Sequence, residues 1–186
     1  MNNFYISDTH FGHFNIIKHC NRPFSTTEEM DEVMINNWNK VVSDKDTVYI
    51  LGDIAFSKGN PADYYLKQLN GKKIVIIGNH DYDISKNRKK YLESKLVDKI
   101  CDYLEITDTI DNQLRKIVMS HYPMAEWNGF FRGSIHLYGH VHNNKKNASY
   151  EIMKNIPNAY NVGADILDFT PRKLENVVKY NKSFFD

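Results

Sequence analysis

The chain has 186 residues, a length that suits one domain able to bury its own core without a disulfide or a structural metal. Its 24 Lys and Arg against 23 Asp and Glu leave a net charge of +1, which argues against a polyanionic partner held by bulk charge. Cys20 and Cys101 form no CxxC pair, the N-terminus "MNNFYISDTH" lacks the basic-then-apolar pattern of a signal peptide, and no run approaches the ~18 apolar residues of a membrane span; the expectation is a cytoplasmic chain with free thiols and no membrane partner.

In chain order, "NNFYIS" is a short β-rich run. Between Phe24 and Val42, Ser25 and Glu28 have capping-box spacing, and Met30, Val33, Met34, Trp38, Val41 and Val42 recur at helical spacing. "DTVYILGD" predicts a second strand. "NPADYYLKQLNGKK" predicts a helix with Asn60 as N-cap, Pro61 at its first position and Gly71 as its stop. "KKIVIIGNHDYD" predicts a third strand, apolar enough to be buried on both faces. This strand, helix, strand, helix, strand order implies parallel βαβ units with helices on the sheet.

The second half reads differently. "DYLEITDTIDNQLRKIVMSH" holds two β-like runs around Asp111-Asn112, a hairpin signal. "SIHLYGHVH" and "NAYNVGAD" are short strands, and "TPRKLENVVKY" predicts a C-terminal helix with Thr170 as cap and Pro171 in its first turn. The expected fold class is α/β, with one mixed sheet or two packed sheets and the helices outside. In such sheets the ligand site lies beyond the carboxyl ends of the strands.

Polar residues collect where predicted strands end: Asp8 and His10, then Asp53, then Asn79 and His80, then His121, then His140 and His142. Taken singly, each Asp or Asn also reads as a turn or cap residue, and each His as a hydrogen-bonded structural residue. Jointly they are metal-ligand types gathered at one sheet edge. Asp8 with His10, and His140 with His142, have i, i+2 spacing, which on an extended chain points both side chains the same way. Oxygen and imidazole donors without thiolate suit Mn, Fe, Zn, Ni or Co. The donors are too many for one ion, and a carboxylate is free to bridge, so the expectation is a two-metal site with ions about 3.5–4 Å apart, the arrangement used for hydrolysis at phosphorus.

The blocks "SDTH", "LGD", "IGNHD", "MSHYP" and "YGHVH", in that order from Asp8 to His142, resemble the signature blocks of the calcineurin-like metallophosphoesterase superfamily. The resemblance implies a four-layered α/β/β/α sandwich of two mixed sheets flanked by helices, forming a single domain over residues 1–186. It implies that Asp8, His10 and His142 hold one ion, that Asn79, His121 and His140 hold the other, and that Asp53 bridges. His80 would then be no ligand but a phosphate contact and general acid. Manganese is the favoured metal of the pair. Protein Ser/Thr phosphatases of the superfamily carry a longer "GDxVDRG" block where this chain reads "GDIAFSKG". Purple acid phosphatases carry a Tyr where this chain has Phe56. Both departures point away from those subgroups and toward a small bacterial, archaeal or phage-type enzyme.

The expected substrate is a small phosphoester, either a phosphomonoester or a small or nucleotide phosphodiester. Three further residues are candidates for its contacts, each with a plainer reading beside it. His13 follows His10 by three residues, and is also an ordinary loop residue. Arg22 has the fork for a bidentate phosphate clamp, and is also an ordinary surface arginine. Trp127, in "PMAEWNGFFRGS" with Phe130, Phe131 and Arg132, suits stacking on a nucleobase, while core packing is the plainer use of at least two of the three rings. Asp81 reads as an orienting partner of His80 or as a turn cap, and Asp165 as a residue approaching from the last strand. Competing functions are a nuclease on polymeric nucleic acid, disfavoured by the near-neutral charge, and a non-catalytic metal-binding scaffold, disfavoured by the full ligand set with His80.

Overall fold

A computed structural model describes residues 1–56 and 58–185. In chain order the elements are β1 (Asn3–Ile6), α1 (Phe14–His19), α2 (Thr27–Val41), β2 (Thr47–Ile50), α3 (Ala62–Leu66), β3 (Lys72–Ile76), α4 (Tyr82–Lys86), α5 (Arg88–Glu93), β4 (Lys99–Cys101), β5 (Tyr103–Ile110), β6 (Gln113–Ser120), β7 (Ile135–Tyr138), α6 (Ala148–Met153), β8 (Ala159–Asn161) and α7 (Leu174–Phe185). The strands form two four-stranded sheets, ordered β1-β2-β3-β4 and β5-β6-β7-β8. The first sheet is parallel throughout, and the second is mixed because β5 and β6 form the antiparallel hairpin.

Period-two alternation sorts the side chains into layers. Phe4, Ile6, Val48, Ile50 and Val75 leave one face of the first sheet and pack against Met30, Met34 and Trp38 of α2, Tyr65 of α3 and Tyr91 of α5. Their neighbours Tyr5, Tyr49, Leu51 and Ile76 leave the other face and meet Ile117, Met119, Ile135 and Leu137 of the second sheet. On the far side of that sheet, Val118 and Tyr138 pack with Trp127 and with Met153 of α6. The result is the expected α/β/β/α sandwich of two sheets with helices outside, except that only the second sheet is mixed, not both. β3 is apolar on both faces because Val75 serves one core and Ile76 the other. Among the described residues no helix is long and apolar enough to cross a membrane.

Several local expectations shift. The capping box of α2 sits one residue later than its sequence pattern suggested: Glu29 N–H donates to Thr26 Oγ1 at 3.1 Å, and Ser25 N–H donates to Glu29 Oε2 at 2.7 Å. In α3, Pro61 rather than Asn60 is the cap, and the helix ends at Leu66, before Gly71. α7 starts only at Leu174, because Thr170 Oγ1 turns back to donate to the Asp168 carbonyl instead of capping. The hairpin turn stands as read: Asp111 and Asn112 have φ of 49° and 60°, the pair of left-handed residues that a two-residue turn matching the strand twist requires.

Register positions the site. Ile6 pairs with Ile50, and Ile50 with Val75, so the chain leaves β1, β2 and β3 at one common edge. Met119 pairs with Leu137, which brings the ends of β6 and β7 together in the second sheet. A bridge between Ser7 and Gly163 ties the two edges to each other.

Candidate metal centre

At this common edge the backbone departs from ordinary geometry. Asp8, His10, Asp53, His140 and His142 all have positive φ, between 48° and 71°. Left-handed backbone is uncommon for residues with a side chain and costs roughly 1–3 kcal/mol at each such position, a cost tolerated where surrounding structure over-determines it. The i, i+2 pairs therefore do not project from extended chain, as the spacing suggested. Each pair sits on a tight kink that turns both side chains inward. Glycine makes the close packing of these kinks possible. A Cβ on Gly78 would run into Asp53 Oδ1, and one on Gly139 would lie 2.6 Å from Asp8 Oδ2 and collide with Ser7 Oγ.

The side chains converge as two groups. Asp8, His10 and His142 each offer a ligand atom within 4.8 Å of the others, and Asp53, His121 and His140 do the same. The amide oxygen of Asn79 joins the second group, 3.0 Å from His121 Nε2 and 2.9 Å from His140 Nδ1. Asp53 Oδ2 stands between the groups, 3.6 Å from His10 Nε2 and 3.5 Å from His121 Nε2. Metal–ligand bonds of about 2.0–2.2 Å put neighbouring ligand atoms about 3 Å apart, so these spacings fit coordination shells.

A second ring of contacts aims the donors. His121 Nδ1 lies 2.7 Å from the Leu51 carbonyl oxygen, so its N–H points there and Nε2 is turned toward Asn79 and Asp53. His142 Nδ1 meets Asp165 Oδ2 at 2.7 Å, leaving Nε2 facing Asp8. Asp8 accepts from Ser7 Oγ at 2.5 Å and from the His140 N–H at 2.9 Å. The Asp53 Oδ1 atom accepts from the His80 N–H at 2.8 Å.

His10 tests whether these residues fit a cation. It is 2% exposed, yet among the described residues neither ring nitrogen has a hydrogen-bond partner. Buried polar atoms without partners are rare and costly. Buried His136 shows the ordinary solution: its Nδ1 meets the Val118 carbonyl at 3.1 Å and its Nε2 accepts from the Met124 N–H at 3.1 Å. A divalent cation among Asp8, Asp53, His10 and His142 supplies the partner His10 lacks, so the donor set fits.

Charge tells the same story. Burial disfavours ionised Asp53, but the hydrogen bond and charge of His121, the charge of His10 and the His80 N–H outweigh it and hold the carboxyl down at about 2. Burial likewise opposes a proton on His121 and on His142. Asp53 and Asp8 overcome it at His121, raising that group to about 9, and Asp165 with Cys20 and Asp8 overcomes it at His142, raising that group to about 11. Burial drives His10 well below its ordinary range. Without a cation, then, protons on His121 and His142 offset the charge of Asp53 and Asp165, while burial pushes the Asp8 carboxyl up.

Not every candidate faces this centre. Arg22 lies beneath it, 4% exposed, with its guanidinium fully engaged: Nε and Nη2 meet the Asp165 carboxylate at 2.7 and 3.4 Å, Nη1 reaches the Thr9 carbonyl and Met30 Sδ, and Nη2 reaches the Asp8 carbonyl. No N–H remains to clamp a phosphate; Arg22 instead fixes the turn carrying Asp8 and the Asp165 carboxylate behind His142. Trp127 is also buried, its indole N–H donating to Ser134 Oγ at 2.9 Å, so it is a core ring and not a stacking platform. Asp81 holds the N-cap position of α4, but its side chain makes no capping hydrogen bond and none to the His80 ring. Its carboxylate accepts from the N–H groups of Asp53, Ile54 and Gly78 at 2.8–2.9 Å, knitting the loops after β2 and β3 together. His13 does line the centre, with its ring 5.4 Å from that of His10 and stacked 3.9 Å from Phe56. His80 is exposed, its ring 5.3 Å from that of His10. Ser7 and Asn161 were not singled out from sequence, and Phe56 only as a departure from the purple acid phosphatase pattern. Asn161 donates to the His142 carbonyl at 2.9 Å and accepts from the Gly163 N–H, a role with no local sequence signal.

The family model described as calcineurin-like phosphoesterase matches residues 4–148. The uncharacterized protein MJ1445 of Methanocaldococcus jannaschii is 38% identical over 176 residues, covering 94% of this chain and 88% of that protein. The Gene 66 protein of Mycobacterium phage L5 is 28% identical over 167 residues, covering 76% of this chain and 77% of that protein. Among solved structures, that of AQ665, a protein of unknown function from Aquifex aeolicus, matches with a TM-score of 0.68 and 27% identity, covering 95% of this chain and 97% of that one. The chain belongs to the calcineurin-like phosphoesterase family.

Proposed function

We propose that this family member binds two divalent metal ions, manganese above the alternatives Fe, Zn, Ni and Co, and hydrolyses a phosphomonoester or a small or nucleotide phosphodiester. In this reading the chain is one cytoplasmic domain over residues 1–186. Asp8, His10 and His142 hold one ion, Asn79, His121 and His140 hold the other, and Asp53 bridges. The observation that carries the dinuclear reading is the position of Asp53 Oδ2, about equally far from His10 Nε2 and His121 Nε2, one imidazole in each group.

Bound ions supply positive charge that polarises phosphoryl oxygens and makes a water acidic near neutral pH. The remaining chemistry belongs to the chain. Asp8 and Asp53 cancel only part of the charge of two divalent ions, and the neutral amide of Asn79 adds none, so the site keeps a net attraction for a phosphoester. The His80 N–H bond to Asp53 Oδ1 fixes the backbone of His80 against the site, while its exposed ring is free to meet the ester. His80 gives its proton to the leaving oxygen. The buried Asp81 carboxylate holds the loops of Asp53 and His80 in one arrangement, which keeps donor and acid in register.

The test is turnover by manganese-loaded protein of an aryl phosphomonoester, an aryl phosphodiester, and 2′,3′- and 3′,5′-cyclic nucleotides. At least one is expected to be hydrolysed. His80→Ala should keep both ions while kcat falls roughly 10²–10⁴-fold, the usual share of a positioned acid. Loss of an ion with kcat per loaded site intact would make His80 a ligand, and no turnover of any ester with two ions bound would overturn the enzyme reading.

A further inference from the structure

A cavity of about 250 Å³ is lined in part by His80. The other walls are mostly apolar: Ala55, Phe56, Pro61, Ala62 and Ile84. Phe56 joins the cavity to the metal centre, since its ring stacks on that of His13 at 3.9 Å and 6°. The two acidic residues at the cavity carry no free cationic partner for an anion. Asp81 is committed to backbone N–H groups, and Asp83 accepts from Tyr91 Oη at 2.5 Å and Asn87 Nδ2 at 2.7 Å. Among the described residues no lysine or arginine lines the cavity.

We infer that this cavity receives the organic group of the ester, and that the group is uncharged, apolar or aromatic, and about one ring in size. The inference rests on the phosphoesterase reading and deepens it. Three observations carry it. The cavity shares His80 with the centre, so a phosphoryl group at the metal ligands places its substituent there. Its walls are apolar, with Phe56 offering an aromatic surface. Its volume falls just below the roughly 300 Å³ at which drug-sized pockets begin, enough for one ring and not for a chain of nucleotides. A second phosphate would meet Asp81 and Asp83, and among the described residues no lysine or arginine lines the cavity to offset them, so polyphosphates and polymeric nucleic acid are poor occupants. A larger cavity, about 460 Å³, lies across the Gly12–Gly59 contact, but Glu28, Asp31 and Glu32 line it, which suits no anionic ester.

Non-hydrolysable phosphonates test the inference without relying on turnover. Calorimetric titration of the manganese-loaded full chain with phenylphosphonate and methylphosphonate compares one anionic head with and without a ring. Burying a phenyl ring in an apolar cavity should tighten binding roughly 10–100-fold. Ala62→Leu fills the cavity and should abolish that preference while leaving the methylphosphonate affinity within about twofold. Ala62 also belongs to the packed core, so Phe56→Ala at a half-buried position provides a second variant, in which the ring preference should fall by about tenfold. Equal affinity for the two phosphonates in the native chain, or a preference untouched in either folded variant, would overturn the role of the cavity while leaving the phosphoesterase reading in place. Failure of both phosphonates to bind the loaded protein would overturn both.

Discussion

The two ligand groups differ in how the protein surrounds them. In the group of Asp8, His10 and His142, the first two are essentially inaccessible, and the third is backed by a buried ion pair between Asp165 and Arg22. In the group of Asn79, His121 and His140, only His121 is buried, and Asn79 and His140 are exposed. The first is a hole whose shape is set by residues behind it. The second is a shelf open to whatever approaches. In the proposed two-metal reading this divides two tasks between neighbouring cations: tight retention where donors are buried and fixed, and access for substrate where they are not.

The largest effect should come from the residue that joins the two. Asp53→Asn removes the charge between His10 and His121 and leaves the His80 N–H with a weaker acceptor. The expected outcome is loss or marked weakening of both ions together and activity at background, read by metal analysis after dialysis. Retention of two tight ions in that variant would end the bridging role and reduce the comparison to two independent sites.

The halves also differ in how much of them was legible in the sequence. The convergence of these side chains was legible, because metal-ligand residue types recur wherever an apolar strand ends, and alternation shows where that is. The left-handed backbone at Asp8, His10, His140 and His142 was not: spacing alone does not separate an extended pair from a kinked one, and only the kink explains Gly139 beside Asp8. Nor was the support of the buried half. Arg22 and Asp165 are 143 residues apart, and a lone arginine after "CN" reads as a surface clamp until the fold closes over it. For Trp127 the sequence left stacking and core packing both open for the same reason, since its partner Ser134 is brought close only by the turn that precedes β7. β4 and the helices α1, α4, α5 and α6, three to six residues each, are too short for periodicity to reveal.

An intermediate effect should separate the halves. Asp165→Asn keeps the size of the side chain but withdraws the charge that orients His142 Nδ1 and pairs with Arg22. Second-ring carboxylates of this kind are worth roughly 10–100-fold in metal affinity. The buried half should weaken by about that factor with the open half little changed, and the unpaired Arg22 should cost stability on the order of 3–5 kcal/mol. Competition titrations against a chelator give the two affinities, and denaturant unfolding of the metal-free protein gives the stability. Equal weakening of both ions would show that Asp165 supports the whole edge and not one half of it.

The smallest effect is a difference in pH dependence. Each half holds one proton-carrying imidazole when no metal is bound: His142, raised to about 11 in the buried half, and His121, raised to about 9 in the open half. Their ordinary value is 6.5, so each proton stabilises the metal-free fold fully below pH 6.5, and that contribution is lost as pH rises through the folded value. His10 and His140, both lowered, are neutral above pH 6.5 and add nothing to the slope there. Metal-free protein should therefore lose thermal stability between pH 6.5 and 9. Metal binding has the opposite sign, because a ligating imidazole must give up its proton, and affinity should rise roughly tenfold per pH unit for each proton displaced. The two halves then part near pH 9: His121 is by then deprotonated and the affinity of the open half levels off, whereas His142 still holds its proton and the buried half keeps tightening. Melting curves with chelator and with manganese across that range, together with calorimetric proton release in buffers of different ionisation enthalpy, read both signs. Parallel pH profiles for the two ions would mean that the protons are shared across Asp53, and that the halves titrate as one unit.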